Sequence, residues 1–200
     1  MKNPLRLLGF TLLLPVLGGC FTLHESRIES DYSYSGDFRY YKTYDFMREP
    51  SQAGDTTHLS AMLREAINTR LRQQGYHPAT RRPDLLISYR LFEGTMRMRG
   101  YDQPDIQDWV ANGVVQKEDA DENSEHESYH PTRVLLTNGT LLITLVDARS
   151  QRAVWNGYAS GVEVPDNALA EVVMRRSVRS IFDRYRVFTQ GFLVNPDERQ

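Results

Sequence analysis

Along residues 38–46 apolar and polar positions alternate, so that Tyr40, Lys42, Tyr44 and Phe46 fall on one side of an extended chain. With its aromatic and β-branched content, this stretch predicts a strand, and its tyrosines read as core rather than as a stacking platform. From Thr57 the period lengthens. Leu59, Met62, Leu63, Ala66, Ile67 and Leu71 recur at helical spacing with Arg64, Asn68 and Arg72 opposite. That pattern predicts an amphipathic helix capped by Thr56 or Thr57 and closed by Gly75. Arg70 lies beside the apolar stripe, where a snorkelling stem is the expectation and a buried ion pair the alternative.

Period two returns over residues 85–92, with Leu85, Ile87, Tyr89 and Leu91 on one face and Ser88 and Arg90 on the other, as in a strand covered on one side. Gly94 is expected to bend the chain. Residues 95–99 then either continue the strand or begin its hairpin partner. The strongest β signal spans residues 140–147 and 153–159 around a turn at 148–152, which predicts an antiparallel hairpin. Pro165-Asp166-Asn167 opens a last helix whose apolar face carries Ala170, Met174, Val178, Ile181, Phe182 and Tyr185. Arg175, Arg179 and Arg186 form a basic stripe on it. Glu171 with Arg175, and Arg179 with Asp183, stand at i,i+4 and are expected to neutralise that stripe.

These periods add up to an α+β domain: a mainly antiparallel sheet of about four to six strands with two helices packed on one face. The domain is expected over residues 37–190, with a polar tail at 191–200. One long stretch, at about residues 100–133, has no period. It holds Pro104, Trp109 and Gly113, then the acidic segment 118–127. Asp119, Asp121, Asn123 and Glu125 alternate like the opening of a calcium loop. The match then breaks: Ser124 stands where glycine is needed and His130 where the closing glutamate belongs. Asp119, Asp121, His126 and His130 are therefore weak metal candidates, and a solvated acidic loop without metal is expected.

The opening of the chain carries the sharpest motif. Lys2 and Arg6 precede a short apolar run over residues 7–17, interrupted by Gly9, Thr11 and Pro15, and then Gly18-Gly19-Cys20. A spanning helix needs about 20 apolar residues, so this reads as a cleaved signal over 1–19, with cleavage between Gly19 and Cys20. Cys20 would become the acylated first residue. It is the chain's single cysteine, so lipidation leaves no thiol for a disulfide or metal site. Residues 20–36 are polar and expected to form a tether, although Asp31 to Tyr34 alternate and would also suit a sheet edge. With 24 Lys and Arg against 26 Asp and Glu, the chain shows no electrostatic footprint for nucleic acid.

No G-x-S-x-G, H-E-x-x-H, G-x-x-x-x-G-K-[ST] or G-x-G-x-x-G motif occurs. The lipid-attachment motif, Asp31-Tyr32 leading into Asp37-Phe38 and Tyr41-Lys42-Thr43-Tyr44, and the run Pro83-Asp84-Leu85-Leu86-Ile87-Ser88-Tyr89 occur in order. Gly139-Thr140-Leu141 through Val146-Asp147-Ala148-Arg149 and Val154-Trp155-Asn156-Gly157 follow. In that order and spacing the chain resembles the domain-of-unknown-function 4136 family of bacterial envelope lipoproteins. It departs in its acidic insertion and in Asp183-Arg184-Tyr185-Arg186, where Tyr-Pro-Pro is usual. The resemblance implies an α+β domain on a lipid anchor, with no established activity and hence no catalytic residues to carry over; no cofactor is expected. Phe21, rather than aspartate, after Cys20 implies by the sorting rule of similar lipoproteins the inner leaflet of the outer membrane, with the domain in the periplasm. A non-catalytic interaction or assembly module with an envelope protein partner is the leading expectation, Trp109, Arg175, Arg179 and Arg186 being candidate contacts. The alternative is a lipid- or cell-wall-fragment-binding pocket between sheet and helices.

Overall fold

A computed structural model describes residues 27–47, 57–101, 103–112, 131–136 and 139–189. In chain order the strands are β1 (Arg27–Tyr32), β2 (Thr43–Phe46), β3 (His77–Pro78), β4 (Leu85–Phe92), β5 (Met96–Tyr101), β6 (Pro131–Leu136), β7 (Thr140–Asp147) and β8 (Arg152–Ser160). Helix α1 (Thr57–Gln73) follows β2, α2 (Ile106–Asn112) follows β5, and α3 (Leu169–Tyr185) follows β8.

Six strands form one sheet in the order β1-β8-β7-β4-β2-β3, and β5 pairs with β6 in a separate two-stranded sheet. The fold class is the expected α+β, but the large sheet is mixed. β2 runs parallel to both β3 and β4 because α1 returns the chain to the same end before β4 begins, whereas β4, β7, β8 and β1 are antiparallel.

The strand expected over residues 38–46 is shorter than its pattern. Residues 38–40 turn, with the Tyr40 N–H donating to Asp37 O at 2.9 Å. The Asp84 carboxylate then accepts the N–H groups of Lys42 and Thr43, 2.9 Å each, and the Thr43 hydroxyl at 2.8 Å. A side chain thus holds the entry to β2 where a neighbouring strand otherwise would. Tyr40 and Tyr44 consequently do not share a face: Tyr40 is exposed and Tyr44 fully buried.

Two stretches expected to lie outside the sheet contribute strands. Residues 27–32, within the expected tether, form the edge strand β1. At its end the Gln103 side chain imitates a neighbouring strand, accepting from Tyr32 N at 2.9 Å and donating to Tyr32 O at 2.8 Å. The expected insertion at 100–133 is likewise built at both ends, by the close of β5, by α2 and by β6. The metal candidates Asp119, Asp121, His126 and His130 lie outside the described residues.

Helices α1 and α3 pack side by side on one face of the sheet. Leu63, Ile67 and Leu71 of α1 and Met174, Val178, Ile181 and Phe182 of α3 meet Leu85, Ile87, Leu141, Ile143, Leu145 and Trp155 in one core. Gly157 allows the closest approach, since a Cβ there would stand 2.2 Å from the Trp155 ring and 2.6 Å from Ile181. α1 stops at Gly75, whose φ of +88° suits glycine; Gly75 N and Tyr76 N reach back to Arg72 O and Leu71 O at 3.0 Å each. Arg70 makes an ion pair with Asp183 across the two helices, but at the surface, where Asp183 is exposed, and not as the buried pair of the alternative. On the other face of the sheet, Leu142 and Tyr158 carry the small arm of β5 and β6 through Met96, Met98 and Leu136.

Candidate functional site

Where β1 leaves the sheet the chain passes through an aromatic cluster. Tyr32 meets Tyr34 and Trp109 with ring centroids 5.4 and 5.6 Å apart, and Trp109 in turn meets Tyr34 at 5.7 Å and Phe38 at 5.9 Å. Phe38, fully covered, continues the contact inward to Tyr41 and Tyr185. Trp109 is therefore a bridge between core and surface, a placement suited to a large apolar ring with a polar N–H.

Trp109 is held by partners distant in sequence. α2 is too short to be stable alone. The Arg39 guanidinium donates to Val110 O at 2.8 Å and Ala111 O at 3.1 Å, occupying carbonyls at the end of α2. The Tyr32 hydroxyl donates to Pro104 O at 2.9 Å, and Gln107 Nε2 to Arg186 O at 2.8 Å. Burial raises the Tyr32 phenol well above the ordinary tyrosine range, so it is a neutral donor here.

Between these parts lies an open cleft of about 360 Å³. Tyr34, Tyr40 and Trp109 supply aromatic walls, while Asp37, Arg39 and Arg149 supply charge at its rim. Tyr40 is 70% exposed. Such a surface offers flat apolar faces at low conformational cost, with donors and one carboxylate to orient whatever docks.

Trp109 is the one candidate contact that lines this cleft. Arg175 lies on the outer face of α3, paired with Glu171 at 2.8 Å as its spacing predicted. The expected Arg179 to Asp183 pair does not form, because Asp183 turns to Arg70; Arg179 is exposed and has no carboxylate partner among the described residues. Arg186 touches the site through its backbone carbonyl alone. Gly19 and Cys20 lie outside the described residues. Between sheet and helices, Trp155 and Gly157 face Phe182 and Ile181 in close contact. Among the described residues no group of three or more His, Cys, Asp or Glu could hold a metal ion, and no helix is long and apolar enough to cross a membrane.

The cleft residues Tyr34, Arg39, Tyr40 and Arg149 escape a sequence reading because all four sit in turns. The pattern Asp37-Phe38-Arg39-Tyr40 shows an aromatic cluster but not which ring turns outward.

A mixed sheet with two helices on one face and an aromatic cleft at one end defines an α+β domain without a recognised catalytic constellation among its described residues. The chain matches the domain of unknown function DUF4136 over residues 28–185, and it belongs to that family. Among solved structures it is similar to a DUF4136 family protein from Bacteroides thetaiotaomicron, at 14% identity and a TM-score of 0.49, covering 82% of this chain and 97% of that one. It is also similar to a PDZ domain protein from Parabacteroides distasonis, at 16% identity and a TM-score of 0.47. That match covers 79% of this chain and 35% of the other, so this chain spans about a third of that protein's length. A third similar structure is the PelC dodecamer from Paraburkholderia phytofirmans, at 10% identity and a TM-score of 0.45, covering 83% of this chain and 100% of that one. No curated protein matches.

Proposed function

We propose that the protein is a lipid-anchored envelope lipoprotein that acts without catalysis, docking a partner envelope protein through the Trp109 cleft. The reading places it on the inner leaflet of the outer membrane, with the domain in the periplasm. The observation that carries it is the cleft: exposed Tyr34 and Tyr40 beside Trp109, with Arg39 already committed to holding α2 and Arg149 exposed at the rim. Interface centres are enriched in aromatic residues and arginine, and here those residues stand on a firmly packed base. The lipid anchor rests on the motif ending at Cys20, and attachment would confine the search for a partner to the membrane surface.

Two experiments test this reading. Palmitate labelling of the full chain should be present and should vanish in Cys20→Ala; equal labelling of both would remove the anchor from the proposal. A photo-crosslinking amino acid at Tyr40 in intact cells should capture a discrete protein, identified by mass spectrometry, that the same probe at exposed Arg152 does not capture. Identical products from both positions would reject the cleft as the docking site.

A further inference from the structure

The sheet has two distinguishable ends. Arg27, where β1 begins, pairs with Ser160, where β8 finishes; Tyr32, where β1 finishes, pairs with Trp155. The Trp109 cleft lies beyond the Tyr32 end and borders Arg149, in the turn before β8. Cys20 is seven residues from Arg27, so by covalent geometry the two are at most about 25 Å apart. If Cys20 is lipidated, the Arg27 end is the end of the sheet nearer the anchor along the chain, and the cleft lies at the far end.

Helix α3 runs back along β8. Its last turns lie over Trp155, with ring centroids 5.9 Å to Phe182 and 5.0 Å to Tyr185, and Ile181 lies over Gly157. From Ile181 to Leu169 the helix rises about 18 Å. From Gly157 to Ser160 the strand covers only about 10 Å. The first turns of α3 therefore reach past the Arg27 end of the sheet. There Leu169 and Val172 are each 60% exposed. At helical spacing they share one stripe with exposed Arg176 and Arg179, opposite the buried stripe of Met174, Val178, Ile181 and Tyr185. Glu171 is taken up by Arg175, and neither Arg176 nor Arg179 has a carboxylate partner among the described residues.

We propose that this stripe is a membrane-docking surface: Leu169 and Val172 enter the headgroup layer of the leaflet that holds the anchor, and Arg176 and Arg179 donate to lipid phosphates. Exposed aliphatic side chains followed by guanidinium groups suit that interface, where the apolar atoms leave water and the charges remain in it. The anchor and the helix would together fix the orientation of the domain, holding the cleft toward the periplasm. This inference rests on the reading of Cys20 as the lipidated residue.

The test uses the full-length lipidated protein in phosphatidylethanolamine–phosphatidylglycerol vesicles, with an environment-sensitive fluorophore on Val172→Cys or, separately, Tyr40→Cys. Spin-labelled lipid should quench the Val172 label several-fold more than the Tyr40 label. Mass spectrometry of the same samples reports acylation at Cys20. Equal, weak quenching with Cys20 acylated would overturn the docking surface and leave the lipoprotein reading standing. Cys20 without acyl chains would overturn both. In whole envelopes, a crosslinker on Val172→Cys that captures a protein instead of lipid would replace the membrane with a protein partner. Because Val172 is exposed, these substitutions leave the packed core alone.

Discussion

The hydroxyl of Tyr41 donates to Asp147 Oδ2 at 2.7 Å, joining two buried residues 106 positions apart. The other carboxylate oxygen accepts the N–H groups of Arg149 and Ser150, at 2.8 and 2.7 Å, and so shapes the turn between β7 and β8. One carboxylate thus ties the chain before β2 to the hairpin that frames the cleft. Tyr41→Phe should lower stability by about 2 kcal/mol, because a hydrogen bond to a buried charge is lost and the carboxylate keeps its burial. Urea denaturation with an unchanged m value is the measurement. An effect below about 0.5 kcal/mol would show the bond to be incidental.

Stability should fall at both ends of the pH scale. At Asp147 burial alone would raise the carboxyl pKa, but the bonds from Ser150, Tyr41 and Arg149 together outweigh it and the net shift is downward; at Asp84 burial is likewise outweighed, by Lys42 and Thr43. Their contribution is present above the ordinary aspartate value of 3.8 and is lost as pH drops below it. Burial raises the phenols of Tyr41, Tyr76 and Tyr185 above their ordinary 10.0, so the unfolded chain ionises first and stability is lost as pH climbs past that value. Thermal midpoints should drop below the lower limit and above the upper one, and the acid limb should be shallower in Asp84→Asn/Asp147→Asn. An acid limb of unchanged slope in that variant would assign it to other groups.

Gly157 sits where β8 runs beneath α3. In Gly157→Ala the new methyl would overlap the Trp155 ring and Ile181, both fully buried, so relief requires moving a helix or a core indole. Overpacking of that kind costs about 1–3 kcal/mol. The thermal midpoint should drop by several degrees, with a larger loss for Gly157→Val. Tolerance of valine without loss would mean that α3 rides loosely on the sheet.

β4, α1 and α3 are legible because one face of each is buried and shows its period, as in Leu85, Ile87 and Tyr89, whereas β7 and β8, covered also by the β5–β6 arm, show through their apolar content and the turn between them. β1 resembles a tether in sequence because Glu29, Ser30 and Asp31 are polar, and an edge strand is covered too little to impose alternation. α2 was invisible for another reason. Its seven residues depend on Arg39 and, through Gln103 and Pro104 just before the helix, on Tyr32, and nothing local to Trp109 signals partners some seventy positions earlier. Nothing in the sequence marks Asp84 and Asp147, at the ends of their strands, since a carboxylate gathering distant N–H and O–H groups leaves no period to find. Cys20 is the reverse case: a local motif reads it, and the fold adds only that the first strand begins seven residues later.

The hydroxyls of Tyr76 and Tyr185 lie 2.9 Å apart in the core, joining the chain just after α1 to the end of α3. Both residues are fully buried, so each hydroxyl depends on the other. Tyr185→Phe alone should destabilise by about 1–3 kcal/mol, since it leaves a buried polar group on Tyr76 without this partner. Removing both hydroxyls takes away the stranded group as well as the bond, and neither change opens a large cavity. Tyr76→Phe/Tyr185→Phe should therefore be less destabilised than the sum of the single variants, with a coupling of about 1 kcal/mol or more. Additive losses would mean that each hydroxyl finds another partner, and the two helices would then be joined at this point by ring packing alone.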